Sequence, residues 1–343
     1  MLDDLKYIHQ RDGQDALGIA EKQWQQLGHS FDSPKIEGAF ENIVYAGMGG
    51  SALAALVSQS WPGYSVPFEV SRQYHAPGYT SDKTLFIAAS YSGNTEETLS
   101  AVAEAEDKGA KIVVIAGGGK LQELAEQKSY PFLPLPKAAQ PRYAVLYNLK
   151  ALIVILEAAG LVNAADATKE FEQTADFLKQ SVQSWLPTVP EAQNPAKKLA
   201  MELAGKSGVV YAGPILSPAA YKWKISFNEN AKNVAWWGEY PEFNHNEFIG
   251  WSSHPVDKPY AVVDLRSSFE HPRIQKRFEL SDRLLSGKRP AAHVVQAQGE
   301  TLLEHLLWTI NFGDFVTIYL ALLNNVNPAP VELVEKFKKA LDE

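Results

Sequence analysis

Between Phe227 and Trp251 the sequence sets polar residues among aromatic ones: Phe-Asn-Glu-Asn-Ala-Lys-Asn, the pair Trp236-Trp237, then Pro-Glu-Phe-Asn-His-Asn-Glu-Phe. Glu229 falls where an amphipathic helical pattern gives way to a loop or strand. A free glutamate has a pKa of about 4.3; tryptophans that exclude water would raise it toward the range suited to a general base. His245 is of the type that titrates near neutrality. Asn228, Asn230, Asn233, Asn244 and Asn246 can orient hydroxyls or cap turns. Together these residues could move a proton between adjacent sugar carbons. Glu229 would take the C2 proton, His245 would open the ring, and a cation such as Arg142 would stabilise the enediolate oxygens. Plainer uses compete: a helix-end glutamate is often a solvated charge, a histidine between asparagines a structural group, and paired tryptophans core. A metal site from Glu242, His245 and Glu247 would lack the spacing of helical zinc motifs such as H-E-x-x-H.

Two other segments suit an anionic ligand. Gly47–Ser51 and Ser90–Thr95 each follow an apolar run and precede a helical pattern. Ligands of open parallel sheets sit at such strand ends, where helix N-termini point. Gly49 and Gly50 let the backbone approach a ligand, and Ser51 offers a hydroxyl and an N–H. Ser90, Ser92 and Thr95 place three hydroxyls around Gly93, a set suited to phosphate oxygens. Helix capping by Thr95, or by Asn94 with Glu97, is the competing use. Gly47-Met48-Gly49-Gly50-Ser51-Ala52, with Glu69 about twenty residues on, also satisfies the dinucleotide fingerprint. The hydroxyl-rich second loop is no part of that fingerprint, so a nicotinamide enzyme ranks below a sugar-phosphate one.

The elements that must hold these residues fall into two α/β halves. Strands are expected at Asn42–Ala46, Pro67–Val70, Thr84–Ala89 and Lys111–Ala116, alternating with helices, which implies a parallel sheet covered on both faces. A looser second copy of the plan has strands at Gly208–Ala212, Tyr260–Leu265 and His293–Gln296, a helix from Pro272 and a long helix from Thr301. Helical patterns near 165–184 and 191–204 connect the halves. The predicted fold class is α/β, two αβα sandwich domains each with a central parallel sheet, residues 1–160 and 161–343.

With 343 residues, 45% of them apolar, the chain can fill two cores. It contains no cysteine, which removes disulfides, thiolate nucleophiles and cysteine metal sites together. A formal charge of −8 argues against a nucleic-acid partner. Val145–Val162, the most lipid-like stretch, is interrupted by Asn148, Lys150 and Glu157 and reads as a buried helix, so no membrane association is expected. Met1–Asp12 has no targeting pattern, and the cytoplasm follows by default.

Gly-Met-Gly-Gly-Ser-Ala (47–52), Ser-Tyr-Ser-Gly-Asn-Thr-Glu-Glu-Thr (90–98), Pro-Arg (141–142), Asn-Glu-Asn-Ala-Lys-Asn (228–233) and Asn-His-Asn-Glu (244–247) occur in order over most of the chain. This pattern resembles the bifunctional phosphoglucose/phosphomannose isomerase family, built from two sugar isomerase (SIS) domains. The resemblance implies interconversion of glucose 6-phosphate and fructose 6-phosphate through a cis-enediol, with mannose 6-phosphate as a further substrate and neither metal nor cofactor. A non-catalytic sugar-phosphate-binding SIS regulator is the alternative. The resemblance gives phosphate holding to Gly49, Gly50, Ser51, Ser90, Ser92 and Thr95, the base to Glu229 and the enediolate cation to Arg142. It gives ring opening to His245, contributed across a homodimer. It also implies an active-site lysine on the C-terminal helix, Lys338, with Lys336 and Lys339 as rivals. Some members carry a threonine about seven residues before that lysine, thought to let a water assist mannose 6-phosphate turnover; Val331 stands there instead.

Overall fold

The computed structural model describes residues 1–138, 140–162, 164–253 and 259–341. The chain opens with α1 (Leu5–Arg11), α2 (Ala16–Glu21) and a 3-10 turn at Gln23–Gly28. It continues β1 (Asn42–Ala46), α3 (Gly49–Ser60), β2 (Phe68–Ser71), β3 (Thr84–Ser90), α4 (Glu96–Asp107), β4 (Lys111–Ala116), α5 (Gly119–Lys128) and β5 (Phe132–Pro134). Then follow α6 (Val145–Ala158), α7 (Ala164–Ser181), α8 (Pro195–Leu203), β6 (Ser207–Ala212), α9 (Ser217–Glu229), β7 (Ala235–Glu239) and α10 (Glu247–Gly250). The last elements are β8 (Tyr260–Arg266), α11 (Pro272–Leu284), β9 (His293–Gln296), α12 (Leu302–Leu323) and α13 (Glu332–Leu341).

Two compact units result, residues 22–177 and residues 1–21 with 178–343. The first has a parallel sheet in the order β2-β1-β3-β4-β5. All seven residues of β3 are buried, as a central strand covered on both faces requires. Alternation sends Val44, Phe86 and Val114 toward Val102 and Ala105 of α4 and Leu121 of α5. The neighbouring positions, including Tyr45, Ile87 and Val113, are equally buried on the opposite face.

The second unit has a parallel sheet in the order β7-β6-β8-β9. Helix α12 is long and apolar enough to cross a membrane, yet 94% of its most apolar window is buried inside the protein, so it serves as a core helix. It exceeds the 145–162 stretch in apolar length. Its start is fixed by a capping box between Thr301 and Glu304. The first helices pack here too: Tyr7 donates to the Leu322 carbonyl at 2.7 Å, and Asn311 Nδ2 to the Ala20 carbonyl at 3.0 Å. These contacts draw the N-terminus into the later unit, which a linear division at 160 does not capture.

The expected strands and helices recur with ends shifted by a residue or a few. Strands β5 and β7 were not expected. β7 carries Trp236 and Trp237 on the sheet edge, where they are 50% and 38% exposed. They belong to neither core nor an enclosed wall, because an edge strand has a neighbour on one side only.

Candidate active site

In the first unit the two serine loops meet. The Tyr91 N–H donates to Ser51 Oγ at 3.1 Å, tying the turn after β3 to the start of α3. Ser90 Oγ lies 2.7 Å from Thr95 Oγ1 and 3.4 Å from Ser92 Oγ, and accepts the Gly93 N–H at 3.1 Å. Thr95 occupies the N-cap position of α4, but its hydroxyl makes no capping bond. It turns to Ser90 instead. Asn94 Oδ1 accepts the Lys120 N–H at 3.0 Å, which braces the loop against α5.

Arg142 joins this end of the sheet from the 3-10 turn Pro141–Tyr143, with its guanidinium 4.7 Å from the Tyr143 ring centroid. A Cβ on Gly50 would stand 2.8 Å from the Pro141 carbonyl oxygen and 3.1 Å from the Arg142 Cα. Glycine at 50 is what allows α3 and the arginine turn to come this close. The arginine is 1% exposed. Gly49, Gly50, Ser51, Ser90, Ser92, Thr95 and Arg142 therefore gather at the carboxyl end of the first sheet, beside two helix N-termini.

The second unit holds Glu229 as the last, half-buried residue of α9. The segment after it is pinned by side chains. Asn230 Nδ2 donates to Thr317 Oγ1 at 2.9 Å, and Asn324 Nδ2 to the Ala231 carbonyl at 3.1 Å. Lys232 has a left-handed backbone (φ 53°), and its Nζ reaches the carbonyls of Glu229 at 2.6 Å and Pro328 at 3.1 Å. One turn earlier the buried Lys222, Ser226 and Asp314 lock α9 to α12, with Ser226 Oγ donating to Asp314 at 2.8 Å. Asn228 Oδ1 is buried without a hydrogen-bond partner among the described residues.

His245 ends a 3-10 turn at Glu242–His245 and is exposed. Its neighbour Asn244 is clasped by Ser281 Oγ and Arg277, each at 3.0 Å. Register then separates the histidine from Glu229. Asn233 Nδ2 donates to the Lys206 carbonyl just before β6, whereas the Tyr240 N–H donates to Ala212 at its end. Glu229 therefore sits at the amino edge of the sheet and His245 beyond its carboxyl edge. Five strand residues span about 16 Å. The fold does not bring these two groups together within one chain.

Lys336, Lys338 and Lys339 lie on α13, where no residue is buried. Lys338 pairs with Glu335 at 3.0 Å, an exposed i,i+3 contact of small energetic weight. Val331 is half-buried just before that helix. Among the described residues, no group of three or more His, Asp or Glu side chains is placed to hold a metal ion.

Sequence reasoning overlooked Glu270, in the turn after β8. It is 5% exposed and accepts the Ile215 N–H at 2.9 Å and the Leu216 N–H at 3.4 Å. Burial pushes its carboxyl pKa up to about 7, against the two backbone bonds. The available signal was an acidic residue following Ser267-Ser268 at a strand end.

Residues 39–160 match the SIS domain family, and residues 192–341 match the bacterial phospho-glucose isomerase C-terminal SIS domain. The bifunctional phosphoglucose/phosphomannose isomerase of Caldicellulosiruptor bescii is 34% identical over 88% of this chain and 90% of its own. The chain belongs to the bifunctional phosphoglucose/phosphomannose isomerase family. A relative with a different name, the D-glucosamine-6-phosphate 4-epimerase of Sulfolobus acidocaldarius, is 35% identical over 71% of this chain and 74% of its own. A solved glucose-6-phosphate isomerase like protein from Thermus thermophilus shares the fold, with a TM-score of 0.65 at 19% identity over 98% of both chains. The two SIS units of the isomerase family are thus both present, and the serine loops fall in the first.

Proposed function

We propose that this chain interconverts glucose 6-phosphate and fructose 6-phosphate through a cis-enediol, with mannose 6-phosphate as a second substrate. The observation that carries the reading is the hydroxyl set of Ser51, Ser90, Ser92 and Thr95 gathered with Arg142 at two helix N-termini. Thr95 forgoes capping to join it. Phosphate oxygens would accept from these hydroxyls and from the α3 and α4 amides, where helix dipoles favour an anion.

Glu229 would take the C2 proton, the C2–H electrons forming the enediolate as the aldehyde oxygen gains charge. The same carboxyl would return the proton to C1 as the O2 hydroxyl proton passes to O1. Arg142 would hold the enediolate oxygens by charge already in place. Asn228 Oδ1, buried and without a partner among the described residues, would accept from a sugar hydroxyl. His245 would move protons between the ring oxygen and O1 during ring opening, and its distance along the sheet from Glu229 supports supply by the partner subunit of a homodimer. Lys338 would join the site only if α13 docks. The reaction needs no cofactor in this scheme, and a cytoplasmic location fits its substrates.

The epimerase relative favours one rival, chemistry at C4 of an amino sugar phosphate. A coupled assay with glucose 6-phosphate, mannose 6-phosphate and glucosamine 6-phosphate, run with chelator, separates the readings. Turnover of glucose 6-phosphate that survives chelation is expected; product from glucosamine 6-phosphate alone would favour the rival.

A further inference from the structure

The two sheets share one connectivity. β1 lies between β2 and β3, as β6 lies between β7 and β8. The turn after β6 (213–216) therefore corresponds to the turn before α3, and the turn after β8 (267–271) to the Ser90–Thr95 loop. Each pair of turns faces a helix N-terminus, α3 in one unit and the 13-residue α9 in the other.

In the second unit that place is taken. Glu270 reaches from the β8 turn to the β6 turn, and its carboxyl receives the Ile215 and Leu216 amides at the head of α9. Gly213 is cut to fit it: a Cβ there would stand 2.4 Å from Glu270 Oε1 and 2.5 Å from its Cδ. Any larger residue would expel the carboxyl. Ser267, the positional counterpart of Ser90, has turned inward, with Oγ 2.9 Å from His305 Nδ1 and accepting the Phe269 N–H at 3.1 Å. A cavity of about 230 Å³ remains beside the carboxyl, with Arg266, Ser267, Ser268, Gln275 and the acidic Glu279 among its lining residues.

We propose that the Glu270 carboxyl is an internal stand-in for a ligand phosphate, filling the anion-binding turn of the second SIS unit and closing it to sugar phosphates. Carboxyl and phosphate oxygens alike accept the N–H donors that a helix N-terminus offers. The duplicated fold thereby keeps one anion site per chain. The analogy rests on the phosphate reading of the first unit; the test does not, because it reads only the change that Glu270 makes.

Glu270→Ala and the parent protein are titrated with inorganic phosphate by calorimetry, each checked for folding by circular dichroism. The variant is expected to gain one phosphate per chain over the parent, and the same gain is expected when both carry Ser90→Ala and Ser92→Ala. If Glu270→Ala is unfolded in phosphate-free buffer, added phosphate is expected to refold it by occupying the emptied turn. A folded variant with unchanged stoichiometry, or an unfolded one that phosphate does not restore, overturns the proposal.

Discussion

Glu229 and His245 stand at opposite edges of the same sheet, the first before β7 begins and the second after β7 and a 3-10 turn. On the homodimer proposed above, a proton-transfer site that uses both draws them from two copies. Complementation follows. Glu229→Gln and His245→Ala are each expected to be inactive as homodimers. Mixed after subunit exchange, they should recover roughly a quarter of wild-type activity, since half the dimers are mixed and each has one intact site. No recovery in verified mixed dimers would place both residues in one subunit's site.

Thr95 separates phosphate binding from helix capping. Loss of a capping hydroxyl costs about 1 kcal/mol of stability, but Thr95 makes no capping bond. Thr95→Val removes the hydrogen bond to Ser90 and is expected to lower stability by no more than about 1 kcal/mol while raising KM about tenfold, the cost of one charged hydrogen bond. A destabilised variant with normal KM would return the residue to capping.

The α9–α12 lock offers a stability test. Lys222 and Asp314 are 1% and 0% exposed, and the pair is held by Ser226. Lys222→Met alone strands a buried carboxylate and is expected to cost about 3–5 kcal/mol. Lys222→Met with Asp314→Leu should recover much of that loss, as read by chemical denaturation.

Glu270 gives a pH signature. Its folded-state pKa is raised from 4.5 to about 7 by burial, so the folded protein binds more protons than the unfolded chain within that window. Its contribution is complete below about 4.5 and is lost as pH rises through about 7. The loss is on the order of 3 kcal/mol. Asp264, fully buried and raised to about 6, adds a slope of the same sign. Denaturation from pH 5 to 8 should show a flatter profile for Glu270→Gln than for the parent; identical profiles would contradict the raised pKa.

Much of this was readable in the residues. β3 and β4 announce themselves as unbroken apolar runs, and Gly47–Ser51 and Ser90–Thr95 mark the loops after β1 and β3. β7 was hidden because Trp236-Trp237-Gly238 on an edge strand carries no alternation. The membership of residues 1–21 in the later unit rests on contacts such as Tyr7 to Leu322, which local pattern does not encode. Local pattern does not distinguish Glu270 from a surface acid. Only the tertiary meeting of two turns reveals that its carboxyl is buried against backbone amides.

The Glu229 carboxylate is proposed to carry the proton between C1 and C2. The most direct test is deuterium incorporation at C1 of fructose 6-phosphate in D2O, followed by NMR, for wild type and Glu229→Gln. Exchange by the wild type and none by the variant, with sugar-phosphate affinity retained, is the predicted result. Exchange by the folded variant at the wild-type rate would contradict it.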